Sequence, residues 1–248
     1  MDLTVVIPTY GLEGLLRTCL ALLDAAITRT GIEAFRVVVV DNGSATPIQS
    51  DRLACRNLEL LRFDRRSSFS RACNAGALRQ PARFLLFLNN DVLLDSDALT
   101  EPLTLASEPS VGICGARLVF PDDRIQHCGV RFLRSDRTPH HEFHGWPTSS
   151  VSRVRRDFQA VAGAAMVVRG EVFERLGGFD EEYPFGFEDT DLCLRVRQLG
   201  LAVTCAQTID SIHLESFSDK RPNRHQASRD LFFRRWAGRY LLDGEEGR

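Results

Sequence analysis

The sequence has no apolar stretch approaching the ~20 residues that a membrane-spanning helix requires. Phe84-Leu85-Leu86-Phe87-Leu88 is representative of its apolar runs. It has no Cys-x-x-Cys pair either: its seven cysteines are odd in number and scattered, which argues against a disulfide framework and a cysteine-type zinc site. Neither sign of charge dominates. The 31 basic and 33 acidic residues leave a net charge of -2, which offers no electrostatic basis for binding nucleic acid or an anionic membrane. Gly-x-Gly-x-x-Gly and Gly-Lys-Ser/Thr phosphate loops are missing. Internal repeats and low-complexity tracts are missing as well. The start, Met1-Asp2-Leu3-Thr4, lacks basic residues, and its apolar run stops at Pro8, unlike a signal peptide. The expected setting is the reducing cytoplasm, with any membrane contact peripheral and at the inner face. Arg153, Arg155 and Arg156 are the basic residues closest to such a role, although a solvated surface explains them better.

What is present is a chain of 248 residues, 44% hydrophobic, long enough to bury roughly 70–75% of its unfolded surface as one domain without cross-links. In its first 110 residues, short apolar runs at 3–7, 35–40, 58–63 and 84–88 alternate with segments of helical spacing at 12–27, 70–78 and 95–106. Such alternation predicts βαβ units and a doubly wound α/β sheet. Further strands are expected at 111–120, 125–132, 161–168 and 202–206. Helices are expected at 170–176, 190–199 and 223–242, with a mobile loop at 134–157. Gly177-Gly178 suits the left-handed end of a helix.

Ligands of open α/β sheets bind beyond the carboxyl ends of the strands. Three polar clusters fall there: Pro8-Thr9-Tyr10, Asp41-Asn42-Gly43-Ser44 and Asn89-Asn90-Asp91. Each has a plain alternative, as a turn or a helix cap, but Asp95 or Ser96 can cap the following helix equally well. Together they indicate a nucleotide site. Asp91, with amide and carbonyl oxygens around it, suits Mg2+ or Mn2+, which favour oxygen ligands together with substrate phosphate. His213, following the last strand, is a second candidate ligand; His140, His141 and His144 suggest only weak adventitious metal binding. Glu188, Asp189 and Asp191 open a helix after an aromatic, glycine-rich segment. The helix dipole favours such acids, and capping alone accounts for Asp191. A carboxylate crowded by like charge and apolar rings also holds its proton more tightly, as a general base requires.

At this point the chain resembles the family 2 glycosyltransferases, particularly the bacterial rhamnosyltransferase-like members. The matching segments are Thr4-Val5-Val6-Ile7-Pro8-Thr9-Tyr10, Val38-Val39-Val40-Asp41-Asn42-Gly43-Ser44, Ser70-Arg71-Ala72-Cys73-Asn74-Ala75-Gly76 and Phe87-Leu88-Asn89-Asn90-Asp91-Val92. In the second half they are Gly163-Ala164-Ala165-Met166, Leu176-Gly177-Gly178-Phe179-Asp180-Glu181, Phe187-Glu188-Asp189-Thr190-Asp191-Leu192-Cys193-Leu194-Arg195 and His213-Leu214-Glu215-Ser216. They run in order through nearly the whole chain.

The resemblance implies a GT-A fold, a Rossmann-like, mostly parallel mixed sheet flanked by helices. It also implies a single domain over 1–248: a nucleotide-binding half at 1–110, an acceptor and catalytic half at 111–218, and a C-terminal helix at 219–248. Pro8, Thr9, Tyr10, Asp41, Asn42 and Asn74 would line the nucleoside pocket, with Asp41 accepting from the base or ribose. Asn89-Asn90-Asp91 stands where the family carries Asp-x-Asp, so Asp91 is its sole carboxylate and His213 the second ligand of Mn2+ or Mg2+. Gly163 and Ala164 would leave room beside the donor sugar. Asp189 would be the catalytic base, with Glu188 or Asp191 supporting the acceptor or the helix. The implied reaction moves a sugar, such as rhamnose, from a dTDP- or UDP-donor to a hydroxyl of a glycan or lipid-linked saccharide, with inversion. A sugar nucleotidyltransferase and a non-catalytic nucleotide-sugar-binding domain remain as alternatives. All of this requires Asp91 and His213 to converge within reach of Asp189.

Overall fold

The structure, a computed structural model, describes residues 1–215 and 222–244. Its elements in chain order are β1 (Leu3–Thr9), α1 (Glu13–Thr30), β2 (Phe35–Asp41), β3 (Leu58–Arg62), α2 (Phe69–Ala77), β4 (Phe84–Leu88), β5 (Val92–Leu93), α3 (Thr100–Ala106) and β6 (Val111–Val119). Then follow β7 (Ile125–His127), β8 (Val130–Phe132), β9 (Pro139–His141), β10 (Arg156–Phe158), β11 (Ala165–Arg169), α4 (Gly170–Arg175), α5 (Glu188–Gln198), β12 (Ala202–His213) and α6 (Pro222–Trp236).

The apolar runs become the parallel strands β3-β2-β1-β4, and the sheet continues through β11, β6, β12 and β10. β11 runs antiparallel to both β4 and β6, which makes the sheet mixed. Because side chains alternate along a strand, one run fills two cores. Val5, Ile7, Val37 and Val39 face the stripe of α1 formed by Leu16, Cys19, Leu20 and Leu23. Val6, Val38 and Val40 face Ala72 and Cys73 of α2, together with Phe173, Phe179 and Leu192. Strands buried on both faces have no polar face to show, which is why they read as unbroken hydrophobic runs. All seven cysteines are free and six are buried, so they serve as packing. No helix among the described residues is long and apolar enough to cross a membrane.

The later elements differ from expectation in instructive ways. Segment 134–157, expected as a mobile loop, contains β9 and a 3-10 turn at Thr148–Ser150 and leads into β10. Three of its five arginines form ion pairs: Arg153 with Asp210, Arg155 with Glu108 and Arg156 with Glu142. The strand expected at 125–132 breaks into β7 and β8, and the one expected at 161–168 begins only at Ala165. The helix expected from 95 starts at Thr100, because the Asp95 side chain accepts from Asp97 N at 2.9 Å and holds a turn first. The final strand reaches His213 rather than stopping at 206; it continues past an irregularity between Cys205 and Asp210 and pairs His213 with Val92. Of the expected C-terminal helix, α6 ends at Trp236. Its Phe232 and Trp236 are buried, while Tyr240, past its end, stacks on Phe132 with ring centroids 4.2 Å apart. Ser216 and the outer parts of 219–248 lie outside the described residues.

Candidate functional site

The carboxyl ends of β1, β2, β3, β4 and β12 converge on a cavity of about 270 Å³. Its walls are Pro8, Thr9 and Tyr10 after β1, Asn42 after β2, and Asn89, Asn90 and Asp91 after β4, with His213 at the end of β12. Polar side chains stitch these ends together. Asn90 Nδ2 donates to Thr9 Oγ1 at 2.7 Å, and Gly11 N donates to Ser44 Oγ at 2.7 Å. Asn42 exchanges two hydrogen bonds with the backbone of Ser67, at 3.2 and 2.8 Å. Gly43, at φ 76°, lets this loop lie against the next: a Cβ there would stand 2.4 Å from the Arg65 carbonyl carbon. The Arg66 guanidinium then sits 4.2 Å from the centroid of the Tyr10 ring, a cation–π contact at the cavity rim.

Two residues expected at the nucleoside pocket lie elsewhere. Asp41 is fully buried behind the wall, where its carboxylate accepts from Ser44 N at 2.9 Å and Ile48 N at 3.3 Å and pairs with Arg62. Burial works against its charge, but the bonds from Ser44, Ile48 and Arg62 outweigh it and hold the carboxyl below its usual range. Asp41 is thus the clasp of the β2 loop, and Asn42 is the wall. Asn74 of α2 is committed to the turn that ends α4: its Oδ1 accepts from Phe179 N at 2.9 Å and its Nδ2 donates to Phe179 O at 2.8 Å and to Glu181 Oε1 at 3.1 Å. Gly178, at φ 81°, makes that clamp possible, since a Cβ would lie 2.5 Å from Asn74 Oδ1.

Asp91 and His213 meet as expected, with His213 Nε2 3.2 Å from Asp91 Oδ1. Leu214 N donates to Asp91 O at 3.1 Å, fixing the two chain ends together. Behind the ring, His213 Nδ1 lies 2.6 Å from Gln126 Oε1. No group of three or more His, Cys, Asp or Glu able to hold a metal ion occurs among the described residues, so this pair offers two protein ligands. The loop histidines do not gather into such a group either. His140 bonds Asp136, His141 lies 3.0 Å from His127, and His144 donates to Gln126 O.

A second cavity, of about 550 Å³, adjoins the first and carries Asp189 and Thr190 on its wall, opposite His141 and the α6 residues His225, Gln226 and Arg229. Gly163-Ala164 links the two walls: Asn89 N donates to Ala164 O at 2.8 Å, and Gly163 N donates to Asp189 Oδ2 at 2.9 Å. The acid at 189 therefore stands one residue step from the backbone that carries the Asn89-Asn90-Asp91 turn. A Cβ on Gly163 would stand 3.2 Å from Asp189 Cβ, so the missing side chain makes room for Asp189 rather than for open space. The chain also passes from one cavity to the other here: Pro184 and Phe185 line the first, and Gly186 and Phe187 the second.

α5 starts abruptly. Phe187 holds the left-handed conformation at φ 69°, uncommon for an aromatic residue, and turns the chain so that Glu188 and Asp189 begin the helix. Burial, followed by the charge of Asp189, pushes Glu188 up to about 8. One Glu188 carboxylate oxygen has no hydrogen-bond partner among the described residues. Burial also raises Asp189, against the hydrogen bonds from Gly163 and Thr190 that favour its charge. Two neighbouring carboxyls of this kind share their first proton. Asp191, by contrast, is a packing hub: it accepts from Trp236 Nε1 at 2.8 Å, Arg195 Nε at 2.7 Å and the Tyr183 hydroxyl at 3.2 Å.

Sequence reasoning passes over Arg66, Ser67 and Phe69, which line the first cavity. The run Arg65-Arg66-Ser67-Ser68 follows β3, the one strand of the parallel set whose carboxyl end it leaves unread. It takes His141 only as a weak adventitious metal binder and omits Arg229; both line the second cavity, whose elements meet only in three dimensions.

The chain is similar to known proteins. The model of the family described as glycosyl transferase family 2 matches residues 4–176, and one described as N-terminal domain of galactosyltransferase matches 147–217. An O-antigen biosynthesis protein of Myxococcus xanthus is 32% identical over 225 residues, covering 87% of this chain and 17% of its own length. A dTDP-rhamnosyl transferase of Shigella flexneri is 24% identical over 204 residues, covering 77% of this chain and 64% of its own. The chain thus spans only part of these relatives. The solved structure of GalNAc-T7 with UDP, GalNAc and Mn2+ superposes with a TM-score of 0.70 at 15% identity, covering 98% of this chain and 52% of that one.

Proposed function

The chain belongs to glycosyl transferase family 2 and has the GT-A fold, and from that premise we propose that it is an inverting glycosyltransferase taking sugar from a dTDP- or UDP-donor to a hydroxyl of a glycan or glycolipid. The observation that carries this reading is the pair of adjoining cavities. One holds Asp91 and His213 at the strand ends, the other holds Asp189, and Gly163-Ala164 links their walls by hydrogen bonds to Asp189 and Asn89.

In this reading the first cavity takes the donor. Pro8, Thr9, Tyr10 and Asn42 enclose the nucleoside, while Arg66 brings positive charge to the rim. Asp91 and His213 would hold Mn2+ or Mg2+, offering one carboxylate oxygen and one imidazole nitrogen, and such ions favour further oxygen ligands from substrate phosphate. When bound, such an ion supplies positive charge at the leaving diphosphate. The second cavity takes the acceptor. Asp189 Oδ1 and Oδ2 are oriented by the N–H groups of Thr190, at 2.7 Å, and Gly163. From there the carboxylate removes the acceptor hydroxyl proton as that oxygen forms its bond to the anomeric carbon and the bond to the diphosphate breaks. One displacement inverts the configuration. A single base therefore suffices, and no covalent sugar-enzyme intermediate forms.

The raised, coupled acids make the rate pH-dependent. A base acts only when deprotonated, so a proton held by the Glu188–Asp189 pair places the acid limb of kcat/KM above the ordinary carboxylate range. Glu188→Gln removes the like charge beside Asp189, and the limb is expected to move to lower pH; a pH–rate profile that stays in place would assign it to another group.

The reading is tested by offering the protein nucleotide sugars with Mn2+ and following release of the nucleotide diphosphate, with the product anomer read by NMR. Consumption of a UDP- or dTDP-sugar with inversion supports it. Retention of configuration, or release of a nucleotide monophosphate, would overturn it.

A further inference from the structure

β7 is three residues long, yet two of them, Gln126 and His127, are polar and buried. Burying such groups is costly unless each finds a hydrogen-bond partner. Gln126 finds both of its partners on His213. Its Nε2 donates to the His213 backbone carbonyl at 3.2 Å, and its Oε1 lies 2.6 Å from His213 Nδ1. The backbone carbonyl can only accept, so the amide nitrogen must face it and the amide oxygen must face the ring. An amide oxygen likewise only accepts, so the proton between Gln126 and His213 belongs to Nδ1. A neutral imidazole carries one N–H. A cation needs the neutral ring, and with that proton on Nδ1 the Nε2 lone pair is left free on the side of Asp91 Oδ1, 3.2 Å away.

We propose that Gln126 is a positioning residue: it holds His213 in the Nδ1–H form and in the ring orientation that offers Nε2 to a divalent cation beside Asp91. This rests on the reading of Asp91 and His213 as a cation site. A partner on the far nitrogen commonly governs the affinity of a histidine ligand, and its loss costs about 10–100-fold.

The test is direct Mn2+ titration in the presence of UDP, with free Mn2+ followed by electron paramagnetic resonance, so that no turnover is needed. Gln126→Leu is expected to weaken Mn2+ binding about 10–100-fold. Gln126→Glu keeps an acceptor for Nδ1–H and is expected to bind Mn2+ within a few-fold of the wild type, or more tightly. Thermal unfolding of both variants without Mn2+ reports that they fold. Wild-type affinity in Gln126→Leu, or an equal loss in Gln126→Leu and Gln126→Glu, would overturn the role of Gln126 while leaving the cation site standing. Failure of the wild type to take up Mn2+, or unchanged affinity in Asp91→Asn, would overturn both.

Discussion

Replacing Asp189 by asparagine is expected to lower turnover by about 10²–10⁴-fold, the usual worth of a positioned general base, while binding of the donor nucleotide survives. The substitution is nearly isosteric. An amide oxygen can still accept the Gly163 N–H that now meets Asp189 Oδ2 at 2.9 Å, at the expense of the bond from Thr190 N to Oδ1. What disappears is the ability to take a proton. Asp189 lines the second cavity and not the first, so the donor should notice little. Steady-state kinetics with nucleotide binding measured in parallel separates the outcomes. A full rate in the variant would place the base elsewhere, and an equal loss of donor binding would make Asp189 a structural residue.

Removing the carboxylate at 91 is expected to act on the other half of the site. Asp91→Ala leaves His213 facing the cavity alone and takes away the only carboxylate of the Asn89-Asn90-Asp91 turn. A diphosphate leaving group brings concentrated negative charge, and offsetting it contributes several kcal/mol to catalysis. The expected loss in kcat/KM is about 10²-fold or more, near 3 kcal/mol at 1.36 kcal/mol per decade, together with a loss of the rate's dependence on Mn2+. Rates measured across a Mn2+ concentration series would show it. A variant whose Mn2+ response matches the wild type would remove Asp91 from the cation site.

The parts of the architecture legible in the sequence are those where local pattern and environment agree. β1, β2 and β4 are buried on both faces, so their apolar runs announce them, and the rule that ligands sit beyond strand carboxyl ends leads directly to Tyr10, Asn42 and Asp91. β12 is harder: its second half, Gln207-Thr208-Ile209-Asp210-Ser211-Ile212, is too polar to read as a strand, because several of its side chains serve ion pairs and hydrogen bonds rather than a core. The motif residues Asp41 and Asn74 are visible as unusual, but the sequence does not tell whether a buried polar side chain faces a ligand or clasps a neighbouring loop. Here both clasp. Gln126 is invisible for a related reason: its only distinctive feature is its contact with His213, 87 positions along the chain.

The central claim is that a divalent cation and a nucleotide diphosphate share the cavity between Asp91 and His213. The most direct measurement is a calorimetric titration of UDP and of dTDP into the wild-type protein, with and without Mn2+. At least one nucleotide is expected to bind tenfold tighter or better when Mn2+ is present, and this gain to vanish in Asp91→Ala. Equal affinity with and without Mn2+, or no binding of either nucleotide, would contradict it.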